Sequence, residues 1–370
     1  MQFINPPPNR TDVSELKVLA FLKYGDRAAS TRQRLLQYIP YLARTGIKFE
    51  QSVLLDNSYV ASIGTKSKVS TASLIGAYVR RVQAMRTMRE YDAIWIYMEL
   101  LPYLPGFLES LALPKNMPVI YDFDDAVFHQ YDAHPSALVR KALGRKLQPL
   151  LRQVRACSCG NKYLEAYASQ FCRDTQIIPT VVDVEIFAPR LQSKPPDQPI
   201  VIGWIGSPST WQYVAPLVPL LRRICHERNV QFKVVGAGNI TDDFPQLVHR
   251  PWAEETEVTE LQSMDIGIMP LPDQPWARGK CGYKLIQYMA CGLPVVASPV
   301  GVNIEIVQHN ENGFLAENMD EWEGSLVDLI QDRALREAMG CAGRRKVQAS
   351  YSLQAQAPKV EEIIRRAVQK

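Results

Sequence analysis

The sequence predicts an α/β protein made of two doubly wound domains that face each other across a cleft. Three observations lead there. Apolar runs of strand length alternate with amphipathic helical segments along the chain. That plan is run through twice, and a segment rich in proline and polar residues, Pro189-Arg-Leu-Gln-Ser-Lys-Pro-Pro-Asp-Gln-Pro199, separates the two passes. With 370 residues there is enough chain for two separate cores. The reading places one domain at 1–190 and the other at 197–354, with a last helical segment at about 355–370 left free to pack on the first.

In the first pass Lys17-Val-Leu-Ala-Phe-Leu22 is a buried strand, followed by the polar turn YGDRAAS and a helix over 31–43. Strands follow at 51–55, 93–98 and 118–121, the last opening into DFDDAVF, with helices over 70–90 and 136–153. The second pass runs through IVIGWIGSPST, FKVVGAGN and DIGIMPL to RGKCGYKLIQYMACGLPVVAS. In that final stretch Leu285, Ile286, Met289 and Ala290 recur at helical spacing, Cys291-Gly292 supplies a stop, and Pro294 begins a buried strand. Arg278, Lys280 and Lys284 therefore crowd the N-terminus of a short helix. Cations there oppose the macrodipole by about 0.3–1 kcal/mol, a placement that makes sense if they hold an anion.

The hydrophobic fraction of 46% and charged fraction of 22% belong to an ordinary globular protein and argue against disorder. The start, MQFINPPPNRTDVSELK, holds no signal-peptide core, and no uninterrupted apolar run suggests a membrane span, so a cytoplasmic location is expected. Seven cysteines without a CxxC pair, Cys157, Cys159, Cys172, Cys225, Cys281, Cys291 and Cys341, read as reduced packing residues and not as a disulfide or zinc framework. The net charge of +4 conceals an asymmetry: residues 1–190 carry about 24 Lys plus Arg against about 17 Asp plus Glu, and the rest is slightly acidic. The basic clusters RRVQAMRTMRE and RKALGRKLQPLLRQVR read either as solvated helix faces or as attraction to an anionic membrane or lipid-linked substrate. No zinc-finger spacing or RNA-recognition pattern points to nucleic acid.

Candidate site residues gather at strand ends. Gly206, Ser207, Ser209 and Thr210, in GWIGSPST, suit either close approach to a phosphate or simple helix N-capping. Gly236-Ala-Gly238 is a weaker version, a tight strand exit. Asp122-Phe-Asp-Asp125 has the DxD spacing that can bind a divalent metal, but it follows a first-domain strand while the phosphate-like turn lies in the second domain. A carboxylate that orients or deprotonates an acceptor hydroxyl, Asp124 or Asp125 with Asp122 beside it, is the favoured reading; His129 and His134 are near in sequence but read as surface histidines. In the turn after the first strand, Gly25 permits close approach, and Ser30, Arg32 and Arg34 could meet an acceptor, with capping by Ser30 or Thr31 the plainer alternative.

The run KLIQYMACGLPVVASPVGVNIEIVQHNENGFLA, with IIPTVVDVEIF before the linker and IGWIGS after it, resembles retaining glycosyltransferases of family 4, which have the GT-B fold of two facing Rossmann-like domains. That resemblance implies a nucleoside-diphosphate sugar bound in the second domain, an acceptor in the first, no metal cofactor, and transfer with retention by front-face attack. The anion ahead of the helix would be the donor diphosphate, whose charge grows as the glycosidic bond breaks. Lys280 and Arg278 would act on it, with Lys284, Gln287, Trp252, Val302 and Asn303 at the donor. Asp183 aligns with a structural position, and Glu305 begins a helix beside the donor loop. One departure is plain: the family's Glu-x7-Glu carboxylates would fall at Gly279 and Gln287, and the Arg and Lys pair expected in the SPSTW loop is missing. The cations at 278–284 are expected to replace that pair.

The function expected is hexosyl transfer from a nucleotide-sugar to a glycan or lipid-linked acceptor in cell-surface polysaccharide biosynthesis, with a peripheral contact to an anionic inner-membrane face. The alternatives are a sugar-nucleotide epimerase on the same architecture and a non-catalytic nucleotide-sugar-binding subunit.

Overall fold

The computed structural model describes residues 15–59, 70–192, 194–195 and 197–369; the N-terminal stretch read for a signal peptide lies outside these except at its last residues. Two six-stranded sheets carry the chain. The first contains β1 (Leu16–Tyr24), β2 (Ile47–Leu55), β3 (Ala93–Tyr97), β4 (Val119–Phe123), β5 (Ala156–Cys159) and β6 (Thr175–Ile177), in the order β2-β1-β3-β4-β5-β6. The second contains β7 (Ile200–Ile205), β8 (Val230–Val235), β9 (Leu247–Arg250), β10 (Ile266–Met269), β11 (Val295–Ala297) and β12 (Gly313–Leu315), in the order β12-β11-β10-β7-β8-β9. Every pairing is parallel, with Val18 opposite Ala93 in one sheet and Ile266 opposite Ile202 in the other.

Parallel strands covered by helices on both faces read as continuous apolar runs, and β3 and β4 are buried throughout. The strand order reverses beside β1 and again beside β7, so each sheet opens a crevice at the carboxyl ends of its strands. The segments that follow β1, β4, β7 and β10 carry most of the candidate site residues, with Trp252 after β9 and Val302 and Asn303 after β11.

Two helices expected to be continuous are broken. The segment over 31–43 is a helix at Ala29–Arg34, a 3-10 turn at Leu36–Tyr38 and a second helix at Ile39–Arg44: the backbone breaks at Leu35, and Pro40, which has no N–H to give, sits in the first turn of the second helix where none is needed. The basic segment divides into Ala137–Leu143 and Leu147–Leu151 about Gly144. Its cations also divide. Lys146 is buried and bonds Glu109 Oε1 at 2.7 Å and the Leu101 carbonyl at 2.8 Å, and Arg81 in the other basic cluster is buried against the Phe21 ring. Neither belongs to a solvated face.

The chain ends in the helix Leu353–Gln369, which returns to the first sheet. Ala357, Val360, Ile363, Ile364 and Ala367 join that core, and Arg366 pairs with Asp174 at 2.9 Å. Among the described residues no helix is long and apolar enough to cross a membrane. None of the seven cysteines is in a disulfide; six are buried and Cys341 is exposed.

Candidate functional site

The second-domain wall of the cleft is built around the helix Tyr283–Ala290. Its N-cap is Gly282, in the left-handed conformation at φ 67°, with no side-chain cap and no acidic residue in the first turn. The Leu285 N–H turns back onto the Gly282 carbonyl at 2.9 Å, while those of Tyr283 and Lys284 have no partner among the described residues, so they and the positive end of the dipole are left for an external anion. Lys284 stands on that turn, with its ammonium 5.8 Å from the centre of the Trp204 ring, and the backbone of Gly206 lies against its stem: a Cβ at 206 would come within 2.8 Å of Lys284 Cε. Burial, with the neighbouring Lys280 charge, pushes the Lys284 ammonium down to about 8. The turn after β7 caps its own four-residue helix, Ser207 and Thr210 forming a reciprocal capping box and Ser207 Oγ lying 3.0 Å from Ser209 Oγ. Capping and proximity to Lys284 coexist here.

The first-domain wall is the DFDD segment after β4. The Tyr97 hydroxyl donates to Asp124 Oδ1 at 2.6 Å, and Asp124 is almost fully buried. Burial raises its carboxyl to about 7, Asp125 adding to the rise while Arg34 and the Tyr97 bond oppose it. Asp125 is half-buried and faces Lys280 across the cleft, Oδ1 to Nζ 3.8 Å. A carboxylate of one domain and an ammonium of the other therefore meet where the two domains close.

Side chains that sequence reasoning passed over hold this meeting point in place. Asn161 caps the helix Lys162–Ala168 by accepting from Leu164 N, and its amide donates to the carbonyls of Gly279 at 2.9 Å and Lys280 at 3.0 Å. It fixes the backbone that carries Lys280. The Cys281 thiol donates to the Asp124 carbonyl at 2.9 Å. Asn161 was legible as an N-cap before a helical pattern; nothing in the sequence showed its reach to the other domain. Two ion pairs complete the closure, Arg32 with Glu254 at 3.3 Å and Lys162 with Glu305 at 3.2 Å.

The vacant carboxylate position at 279 has a steric reason. A Cβ on Gly279 would overlap the Ala126 side chain, so no glutamate fits there while the domains are this close. At the other position Gln287 is buried, and its Nε2 has no hydrogen-bond partner among the described residues. A buried amide donor left open invites a ligand acceptor.

Several expected site residues are placed otherwise. Arg34 and Asp122 were expected to face an acceptor, but they bond each other bidentately and Arg34 also donates to Ser158 Oγ at 3.0 Å and to the Ile178 carbonyl at 2.6 Å, all sealed from water. They brace the ends of β4 and β5. The space in front of Gly25 is filled by the Asn57 side chain. Ser30 does not cap its helix, whose N-cap is Ala28 without a side-chain bond. Arg278 ends the short helix Pro275–Arg278 and pairs with Asp273 at 2.6 and 2.9 Å on an exposed surface, so its charge is already balanced. Val302 and Asn303 are buried beneath Gly282, Asn303 donating to the Ser298 carbonyl at 3.0 Å. Trp252 is half-buried, bonds Glu257 at 3.0 Å and lies under Arg32, 5.5 Å from guanidinium to ring. His129 bonds Asp132 and Tyr163 at 2.8 and 2.7 Å, and His134 accepts from Ser136 N at 3.1 Å. Among the described residues no group of three or more His, Cys, Asp or Glu side chains is arranged to hold a metal ion.

Two facing parallel-sheet domains with candidate residues on both walls of the cleft define the GT-B class. Solved structures share the architecture at low identity: sucrose-phosphate synthase from Thermosynechococcus elongatus, with a TM-score of 0.71 and 16% identity over 95% of this chain and 99% of that one, and the Anabaena protein HepE in complex with UDP-glucose, with a TM-score of 0.71 and 16% identity over 95% and 100%. Residues 199–332, within the second domain, match the family model described as glycosyl transferases group 1. Among curated proteins the chain is 28% identical over 156 residues to the GDP-mannose-dependent alpha-(1-6)-phosphatidylinositol monomannoside mannosyltransferase of Mycobacterium tuberculosis. That match spans 40% of this chain and 37% of the relative.

Proposed function

We propose that the protein is a glycosyltransferase that moves a hexose-type sugar from a nucleoside diphosphate to a glycan or lipid-linked acceptor, with retention at the anomeric carbon and without a metal, in the assembly of a cell-surface polysaccharide. The observation that carries this reading is the meeting of Lys280 and Lys284, on an uncapped helix N-terminus, with Asp124 and Asp125 across a closed cleft. The family model matched within the second domain and the nucleotide-sugar named for the HepE complex support the donor class.

In this reading the diphosphate lies over the start of the helix Tyr283–Ala290 and against the Gly206 turn. The bond from the anomeric carbon to the diphosphate oxygen breaks, and a bond to the acceptor oxygen forms on the same face. The acceptor proton passes to the departing oxygen, while Asp124 and Asp125 orient the acceptor hydroxyl. Lys280 and Lys284 act where charge grows, so they stabilise the transition state more than the bound donor. Gln287 meets a ribose hydroxyl with its open amide.

A thermal-shift screen with UDP, GDP, dTDP and CMP, followed by turnover with the matching sugar donors, tests the proposal. A ligand at about 100 times its Kd adds about 2.7 kcal/mol of stability, so one nucleotide should stand out. Failure of all of them to raise the melting temperature would refute the donor assignment, and binding without turnover over a panel of acceptors would favour a non-catalytic subunit.

A further inference from the structure

We infer that the second domain carries a further ligand site, away from the cleft, that takes a small organic phosphate between the linker and the helix Arg333–Ser350. A cavity of about 770 Å³ lies there. Its walls are the described linker residues of 189–198, one side of that helix, and the residues that lead into three strands: Asp265 ahead of β10, Pro294 ahead of β11 and Ile200 at the start of β7. Lys280 and Lys284 follow the carboxyl end of β10, so the strands stand between the two places.

Charge decides what the cavity holds. Five cationic side chains line it, Arg190, Lys194, Arg333, Arg336 and Arg344, against two carboxylates, Asp265 and Glu337, although the second half of the chain as a whole is slightly acidic. Asp265 is already matched, by Arg190 and Lys194 at 2.8 Å each and by the Val201 N–H. Arg336 and Arg344 pair with no carboxylate among the described residues. Arg336 donates through Nη1 to the carbonyls of Leu329 and Ile330, and Arg344 donates to those of Val184, Phe187 and Ala290. Carbonyls satisfy donors without cancelling charge, and burial pushes both guanidinium groups down from their ordinary value.

Donors are left over as well. Nε and Nη2 of Arg336 and Nε and Nη1 of Arg190 have no partner among the described residues. Guanidinium forks from two separate elements suit the several oxygens of one phosphate, whose charge of about −2 answers the positive excess. Leu191, Ile200, Leu293 and Ile330 give the lining an apolar part, and the volume is that of a small-molecule site, so the phosphate should carry an organic group. Held between Arg190 and Arg336, it ties the linker to a helix that already holds the chain ahead of the linker through Arg344.

Isothermal titration calorimetry of the full chain with phenyl phosphate and with inorganic phosphate is the test. Phenyl phosphate is expected to bind, and inorganic phosphate to bind more weakly because it leaves the apolar lining unfilled. Arg333→Gln with Arg336→Gln should weaken phenyl phosphate at least about tenfold. Lys280→Met with Lys284→Met, which strips the cleft of its cations, should bind it as the wild type does. Saturating phenyl phosphate should also slow tryptic cleavage after Arg190 several-fold. Arg336 holds the end of the helix Met319–Gln331, so thermal melts establish that its variant folds; if it does not, Arg190→Gln with Lys194→Gln decides alone. No binding of phenyl phosphate at millimolar concentration, inorganic phosphate binding as tightly, undiminished binding by the folded cavity variant, loss of binding in the cleft variant, or an unprotected linker would overturn the proposal. A nucleotide screen without a winner leaves this result standing, so the two readings fail separately.

Discussion

Arg34 on the first-domain wall of the cleft spends its donors on Asp122, Ser158 and a carbonyl, out of reach of water, whereas Lys284 on the opposite wall has no ion-pair partner among the described residues and Lys280 has a carboxylate only at 3.8 Å. The two walls carry similar residue types at similar strand ends. Their difference separates a cation that braces the fold from one held ready for an anion from outside. Pairing within the chain is the mark of the first, and desolvation without a bonded partner is the mark of the second.

Breaking the braced side should have the largest effect. Arg34→Ala or Asp122→Ala leaves the other charge buried and alone, and denaturant unfolding should show a loss of about 3–5 kcal/mol in the first domain. The double replacement Arg34→Met with Asp122→Leu should lose far less than the two single losses together. If the singles cost no more than a surface substitution, the brace is misread.

The open side should respond in rate and not in stability. Lys280→Met is expected to lower kcat roughly a hundredfold, a barrier increase of about 3 kcal/mol, while the melting temperature hardly changes. An unchanged kcat would remove Lys280 from the chemistry.

Asp124 lies between these extremes, buried yet poised at about 7. Its folded value is raised above the ordinary 3.8, so between those two values the folded state holds more protons than the unfolded one. Stability attributable to this group should fall as pH rises from about 4 to about 7 and stay level above. Asp124→Asn should remove that slope and gain on the order of 1–3 kcal/mol at pH 8, at the expense of turnover. A pH-stability curve identical to the wild type would contradict this.

The smallest effect is a fraction of a proton. Because Lys284 is lowered to about 8, a diphosphate placed beside it should draw a proton in at alkaline pH. Calorimetry of nucleoside diphosphate binding near pH 8–9, in buffers of differing ionisation enthalpy, should show uptake that Lys284→Met abolishes.

Much of this architecture was legible beforehand. Strands such as β3 and β4 announce themselves as apolar runs, and the helix after Gly282 as a periodic stripe with its stop. The strand-end rule also led to loops that meet across the cleft, as Lys280 meets Asp125 and Arg32 meets Glu254. What it could not give is direction: Arg34 and Arg32 are two residues apart, yet one turns into the core and the other across to Glu254. Contacts between domains were equally hidden, because the reach of Asn161 to 279 and 280 and the overlap that keeps position 279 a glycine depend on how two separately written halves come together. Lys146 and Arg81 were read with their neighbours as exposed, on solvated faces or facing an anionic membrane or lipid-linked substrate, since composition records charge but not the buried surroundings that hold it.

The position of a bound nucleoside diphosphate bears most directly on the cations of the second-domain wall. A structure of that complex should place a β-phosphate oxygen about 3 Å from the ammonium of Lys280 or Lys284, over the start of the helix Tyr283–Ala290. A phosphate bound more than a Debye length away, about 8 Å or beyond from both ammonium groups, would contradict the account.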